Sequence, residues 1–313
     1  MSGSEFDRIA RYFAPLANEA ALRLTDDAAV WSPPPGRQLV LTVDQMIEGI
    51  HFLPDDPPDC VARKLLRRNL SDLAAMGAAP IGYLLTTALR AATPEAWLAD
   101  FADGLAQDQR TYNITLFGGD STSTTGPIMT SVTMIGHVAP GTALLRTGAR
   151  PGDAIFVTGT IGDAVLGLEA ARGNIADPGS FFSTRRLLPE PRVGLPLAGL
   201  VHAAIDVSDG LIQDLAHLCT NAGLGAVIEA ALVPQSSAAR SAGDAWLETR
   251  LTGGDDYELI LAAPATAEPA LRAACGTVPL TRIGTMTAAH SNIIINDASG
   301  TPLHFARQGW QHF

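Results

Sequence analysis

Short apolar runs that give way to an aspartate, often beside glycine, recur along this 313-residue chain and limit the folds open to it. Gln38–Val43 reads as a buried strand running straight into Asp44, and Ile114–Phe117 as a short one ending in Gly118-Gly119-Asp120. Between such runs the apolar spacing turns helical, as in Phe6, Ile9, Ala10, Phe13 and Leu16. Strands and helices alternate from end to end, which predicts an α+β chain of mixed α/β domains rather than a bundle or a sandwich. At roughly 150 residues per domain the length suggests two. The Gly-, Pro- and Thr-rich stretch Pro140–Pro151 marks the boundary, giving an N-terminal domain over 1–139 and a C-terminal one over 140–313.

The N-terminal half should hold a helix over 4–17, a helix from Asp59 to Met76, a strand over 81–89, a helix over 93–110 and a strand over 128–138. Beyond the boundary, strands are expected near 154–158, 226–230, 257–262, 278–283 and 292–296. Helices are expected after Gly162-Asp163 and near 185–189, 194–203, 210–222 and 266–275.

Charge excludes several functions. Lys and Arg number 21 against 32 Asp and Glu, a net charge of −11, the wrong sign for a nucleic-acid binder. Only one basic residue is lysine, Lys64, and no glycine loop precedes it, so neither a phosphate-binding loop nor the strand lysine of protein kinases is present. Cys60, Cys219 and Cys275 lie too far apart for a zinc motif and read as reduced thiols. Acids occupy the N-terminus where a signal peptide needs an apolar run, and no apolar stretch reaches about 18 residues, so a cytoplasmic chain without membrane contact is expected.

The acids carry the positive signal. Asp26-Asp27, Asp44, Asp72, Asp120, Asp209 and Asp255-Asp256 sit at element ends or beside glycine. An isolated aspartate there is usually a turn or cap. Asp44 ends an apolar strand that needs no cap, and Asp72 falls inside a helix among Leu65, Ala75 and Met76, where a half-buried carboxylate needs a cation or donors. Paired glycines before Asp120 let a backbone approach a ligand. Carboxylates with few lysines suit magnesium shared with substrate phosphates.

Taken in order, the motifs resemble thiamine-monophosphate kinases, within the superfamily of ATP-using enzymes that includes aminoimidazole ribonucleotide synthetase. The likeness runs through Glu5-Phe-Asp-Arg-Ile-Ala-Arg-Tyr-Phe, Thr25-Asp-Asp-Ala-Ala, Thr42-Val-Asp-Gln-Met-Ile-Glu-Gly-Ile-His-Phe-Leu-Pro, Asn69-Leu-Ser-Asp-Leu-Ala-Ala-Met-Gly-Ala and Gly118-Gly-Asp-Ser-Thr. It continues with Arg146-Thr-Gly-Ala-Arg-Pro-Gly-Asp, Val157-Thr-Gly-Thr-Ile-Gly-Asp-Ala, Ile205-Asp-Val-Ser-Asp-Gly-Leu, Thr252-Gly-Gly-Asp-Asp-Tyr-Glu-Leu and Gly309-Trp-Gln-His-Phe. The resemblance implies transfer of phosphate from ATP to thiamine monophosphate, in a homodimer whose N-terminal sheets pair in a barrel. It implies that Asp27, Thr42, Asp44, Asp72, Asp120, Asp206 and Asp209 bind magnesium. Gly119, Asp120, Arg146 and Ser208 would hold ATP, and His51 and Asp255 would contact the acceptor.

Four positions depart from that pattern. Leu24-Thr25 stands where the family often has a second glycine before the acid pair, Val43 replaces a hydroxyl ligand, and Asp255 replaces Glu. Arg307 occupies the slot of an aromatic that packs on the substrate, which leaves Trp310 for that role. Among the motif segments Arg146 is the one expected fixed cation, since Lys64, Arg67 and Arg68 lie on a helix. Two unit charges about 5 Å apart at an effective dielectric near 20 repel by about 3 kcal/mol, so metals should carry most of the neutralisation. The monoester oxygen is already anionic, so direct in-line transfer needs no covalent nucleophile on the protein. The alternatives are a non-catalytic magnesium- or nucleotide-binding homologue and other enzymes of the superfamily. Selenophosphate synthetase would need a reactive Cys or selenocysteine near a lysine early in the chain, where the first here are Cys60 and Lys64. A hydrogenase-maturation dehydratase would need a C-terminal cysteine, where this chain reads His312-Phe313.

Overall fold

A computed structural model describes residues 5–306 and 309–310, and its chain clusters into two compact units. The first comprises residues up to Leu73 and Ala78–Gly141; the second comprises Ala74–Gly77 and Thr142 onward. Ala74 and Ala75, the last turn of a helix, pack with Leu144 in the second unit's core, so the division does not fall at a single point of the sequence.

In the first unit, α1 (Glu5–Arg8) leads through a π turn into strand β1 (Gln38–Ile47), helix α2 (Pro58–Ala75), β2 (Ala79–Arg90), α3 (Glu95–Tyr112), β3 (Thr115–Thr124) and β4 (Met129–Val138). The sheet order is β1-β4-β2-β3, antiparallel except for the β2–β3 pair that α3 joins. Helix α2 buries Leu65, Leu66, Leu70 and Leu73 completely. It is tied to α3 by a buried ion cluster in which Arg67 Nε and Nη2 grip both oxygens of Asp108 at 2.6 and 3.0 Å, with Arg63 Nε at 3.0 Å. Along β4 every second residue is buried, so one sheet face is the core. The other presents Leu39, Leu41 and Val43, the latter two exposed by 62% and 63%. Leu41 sits opposite Ile135, and Val43 opposite Thr133, which pairs in turn with Leu84.

The second unit holds β5 (Ala154–Thr158), α4 (Asp163–Ala171), α5 (Phe181–Leu187), β6 (Ala203–Asp206), α6 (Leu211–Ala222), β7 (Gly225–Glu229), α7 (Ser237–Ala242), α8 (Leu247–Thr252), β8 (Leu259–Ala263), α9 (Glu268–Cys275), β9 (Leu280–Thr287) and β10 (Ile293–Asn296). Its six strands run in the order β10-β7-β9-β5-β8-β6. β5 and β8 are buried at every residue, because separate apolar clusters cover the two faces.

Two expectations are corrected. The stretch 194–203 is not a helix: Gly194 and Gly199 turn through positive φ (84° and 78°), and Pro196 lies between them. β3 runs on from Gly118-Gly119-Asp120 to Thr124, paired to β2 through a polar Ser-Thr stretch with no apolar signature.

Candidate active site

In the first unit the expected residues form two groups. β1 points Thr42 and Asp44 to the same face as alternate residues of a strand. From α2, Arg68 and Asp72, one helical turn apart, meet them: Thr42 Oγ1 donates to Asp72 Oδ2, and Arg68 Nη2 lies 3.4 Å from Asp44 Oδ1. Arg68 therefore joins the site despite its place on a helix, which corrects the expectation that only Arg146 would supply fixed positive charge. Just beyond β1, His51 Nδ1 accepts the Ile47 N–H at 3.1 Å, which puts the ring proton on Nε2. The Lys64 ammonium, 3% exposed, donates to the His51 carbonyl at 3.3 Å.

The second group lies around a cavity of about 740 Å³ against the other side of the sheet. Asp26, Asp27, Gly119 and Asp120 line it, with Trp31 and Phe117 as an aromatic wall whose rings are 5.6 Å apart. Leu22, Arg23 and Leu24 all have positive φ (48°, 58° and 56°), a course that favours glycine, while Thr25, directly before the acid pair, returns to an ordinary φ of −107°. Gly119 has a reason different from the expected one. A Cβ there would come within 1.7 Å of the Leu85 carbonyl, so the strand pairing itself requires glycine. Asp44 and Asp120 are not brought together within this sheet. They sit on opposite edge strands, about 14 Å apart at the usual strand spacing, and Asp120 shares a register row with Thr86, Ser131 and Gln45, one residue on from Asp44. Val43, the lost hydroxyl, points to the apolar outer face, away from Thr42 and Asp44.

In the second unit two loops interlock. Asp206 ends β6, 2% exposed, and Ser208-Asp209-Gly210 turns the chain into α6. The Asp214 Oδ2 atom accepts three backbone N–H groups, from Ser208, Asp209 and Gly210, at 2.9, 2.9 and 3.0 Å. Burial outweighs these donors and pushes the Asp214 carboxyl up to about 7. The loop 253–258 lies against this turn: Asp255 N–H donates to Ser208 O and Tyr257 N–H to Val207 O. Gly254 allows the approach, since a Cβ would meet Ser208 O at 2.2 Å. Asp255 and Tyr257 both have positive φ, and the Tyr257 hydroxyl donates to Asp255 Oδ1 at 2.8 Å. A short aspartate tolerates the left-handed region better than longer side chains do, which suits it to the place where the family often has Glu. Asp256 faces the opposite way, accepting from Gly162 and Ala164 at the start of α4; burial raises its carboxyl well above the usual range.

Trp310 docks on this turn through its backbone, its N–H donating to Asp209 O at 3.0 Å, while its side chain stays half exposed. Arg307 lies outside the described residues. Arg146 is exposed on a segment whose neighbour Leu145 accepts a hydrogen bond from Ala204 of β6. Asp206, Ser208, Asp209, Asp255 and Trp310 thus share one loop cluster. Asp214, Tyr257 and Arg68 are the site residues that sequence reasoning missed. Asp214 had a signal, an acid one turn after Ser-Asp-Gly, positioned to bond back to the loop.

Residues 25–138 match the family described as AIR synthase related protein, N-terminal domain, and residues 150–296 match its C-terminal domain. The thiamine-monophosphate kinase of Caulobacter vibrioides is 40% identical over 325 residues, covering 99% of this chain and 91% of that protein. The chain belongs to the thiamine-monophosphate kinase family. Among solved structures, the thiamine-monophosphate kinase of Stenotrophomonas maltophilia K279a superposes with a TM-score of 0.80 at 39% identity, covering 87% of this chain and 89% of that one. AaThiL, solved with AMPPCP and TMP, superposes with a TM-score of 0.79 at 28% identity, covering 92% and 91%.

The expected metal residues offer oxygen donors only, as magnesium requires, and within the first unit they form two separate groups. Among the described residues no three His, Cys, Asp or Glu side chains converge as a ready cage.

Proposed function

We propose that this chain transfers the γ-phosphoryl group of ATP to the phosphate of thiamine monophosphate, forming thiamine diphosphate and ADP. The observation that carries the reading is likeness to thiamine-monophosphate kinases over nearly the full length of the chain. AMPPCP and TMP bound to AaThiL support the same pair of substrates here.

The chain's own residues bind and orient. Gly119, Asp120, Arg146 and Ser208 hold ATP, and the aromatic-walled cavity beside Gly119 has the size of a nucleoside site. His51, its proton on Nε2, donates to the acceptor, and Asp255, fixed by Tyr257, faces the acceptor's cationic portion. Asp27, Thr42, Asp44, Asp72, Asp120, Asp206 and Asp209 hold magnesium, which when bound neutralises the two polyanions and aligns their phosphates. Arg68 and Lys64 add fixed positive charge near Asp44 and His51. The acceptor oxygen is anionic without help, so positioning and charge stabilisation account for catalysis, with no covalent intermediate. The outward-facing Leu39, Leu41 and Val43 of β1 support pairing with a second copy, and the proposed place of action is the cytoplasm.

A coupled ADP-release assay with thiamine monophosphate, thiamine and an aminoimidazole ribonucleotide precursor side by side tests the reading. Turnover is expected with thiamine monophosphate alone. Comparable turnover on free thiamine would refute the assigned acceptor, and no turnover on any of the three would favour a non-catalytic binder.

A further inference from the structure

We infer that Gln213 is a positioning residue that clamps the Trp310 segment to the Asp209 turn and thereby sets the aromatic wall against which the acceptor binds; this rests on the proposed function. Gln213 lies in the first turn of α6. Its Nε2 donates to the Trp310 carbonyl at 2.7 Å and to Asp209 Oδ2 at 3.2 Å. The Trp310 N–H meanwhile donates to the Asp209 carbonyl at 3.0 Å. Both backbone polar groups of Trp310 are therefore held, one by the turn and one by Gln213. The amide cannot be reversed, since Oε1 in place of Nε2 would face two acceptors.

Gly309 confirms how close the fit is. A Cβ at that position would meet the Gln213 Cβ at 2.4 Å and Oε1 at 2.5 Å, so the clamp admits only glycine. In its observed orientation Gln213 Oε1 is buried without a partner among the described residues, a cost accepted for the two donor contacts. The indole, 50% exposed, is left as a presented aromatic face on a fixed backbone. The acceptor carries a flat cationic heterocycle, the kind of group an indole face attracts. Asp209 and Asp255 lie on the same loop cluster, so the clamp fixes the aromatic face relative to the carboxylates.

The test compares wild type, Gln213→Ala, Gln213→Met (same length, no donor) and each of these variants in a Trp310→Ala background. Two readouts are needed: hydrogen exchange of the peptide carrying Gly309 and Trp310 without substrate, and steady-state kinetics on thiamine monophosphate. Both variants should exchange faster there and raise KM for the acceptor about tenfold, with kcat within about twofold of wild type. The KM effect should vanish in the Trp310→Ala background, because residues acting as one unit are not additive. Unchanged exchange, unchanged KM, or a KM effect that persists without Trp310 would each overturn the inference. Wild-type enzyme inactive on thiamine monophosphate would refute the function itself, and is seen before any variant is compared.

Discussion

The two units hold their acids differently. In the six-stranded unit, the two carboxylates behind the site loops are anchored by backbone, Asp214 by three N–H groups of the Ser208–Gly210 turn and Asp256 by two at the start of α4, while Glu258 is held by the Thr158, Arg185 and Arg192 side chains. Its central strands are covered on both faces. In the four-stranded unit, Asp44 and Asp72 are met by side chains, Arg68 and Thr42, and the β1 edge of the outer sheet face exposes Leu39, Leu41 and Val43. Backbone anchoring fixes a loop before any ligand arrives. Side-chain anchoring leaves carboxylates able to exchange a partner for a metal. The difference predicts that loss of the side-chain-anchored Asp72 shows in metal use, and loss of the backbone-anchored Asp214 in stability.

The largest effect is expected at Asp72. Asp72→Asn keeps shape and one oxygen, so the fold should survive, while turnover falls about a hundredfold or more, equivalent to roughly 3 kcal/mol of lost charge stabilisation. A magnesium titration of turnover should recover part of the loss. Unfolding with proportionate inactivation would instead make Asp72 structural and erase the contrast between the units. Next is Asp214→Ala, which orphans three N–H groups and should cost about 2 kcal/mol in denaturant unfolding, with Asp214→Asn, which keeps an acceptor, close to wild type.

Acidity sharpens the same point. The Asp214 carboxyl lies at about 7 in the folded protein against 3.8 for the ordinary group, so the native state binds the extra proton between those values. Stability is therefore highest at the low end and falls as pH rises from about 4 to 7, by up to roughly 1.4 kcal/mol per unit, then levels off. Melting temperatures across that range should show the slope in wild type and its reduction in Asp214→Asn. An identical slope in both proteins would assign it elsewhere. The smallest effect is expected on the outer sheet face. Leu41→Ala should weaken self-association about tenfold, or 1.4 kcal/mol, by sedimentation equilibrium, and leave unfolding of the second unit unchanged.

Much of this was legible in the sequence where apolar pattern and turn chemistry agree. β1, α2, β4, β5 and α6 lie within a few residues of their expected bounds for that reason. The stretch 194–203 misled because its Leu, Val and Ala spacing looks helical while two glycines and a proline turn the backbone. The short helices α7 and α8 carry too few apolar residues to register. In the site, the acids were visible one by one, but which of them meet depends on strand order. Nothing local says that β1 and β3 are opposite edges, separating Asp44 from Asp120. Arg68 was discounted because a helical position gives no direction until α2 is laid on β1. Gly119 was visible, yet its reason, the Leu85 carbonyl of the neighbouring strand, was not.

The most direct measurement is phosphorus NMR of the complete reaction: the purified chain, ATP, magnesium and thiamine monophosphate. One thiamine diphosphate, with its coupled pair of phosphorus resonances, should appear for each ATP converted to ADP, while inorganic phosphate stays flat. ADP accompanied by inorganic phosphate, with the thiamine monophosphate resonance unchanged, would contradict the account and leave an ATP-hydrolysing member of the fold.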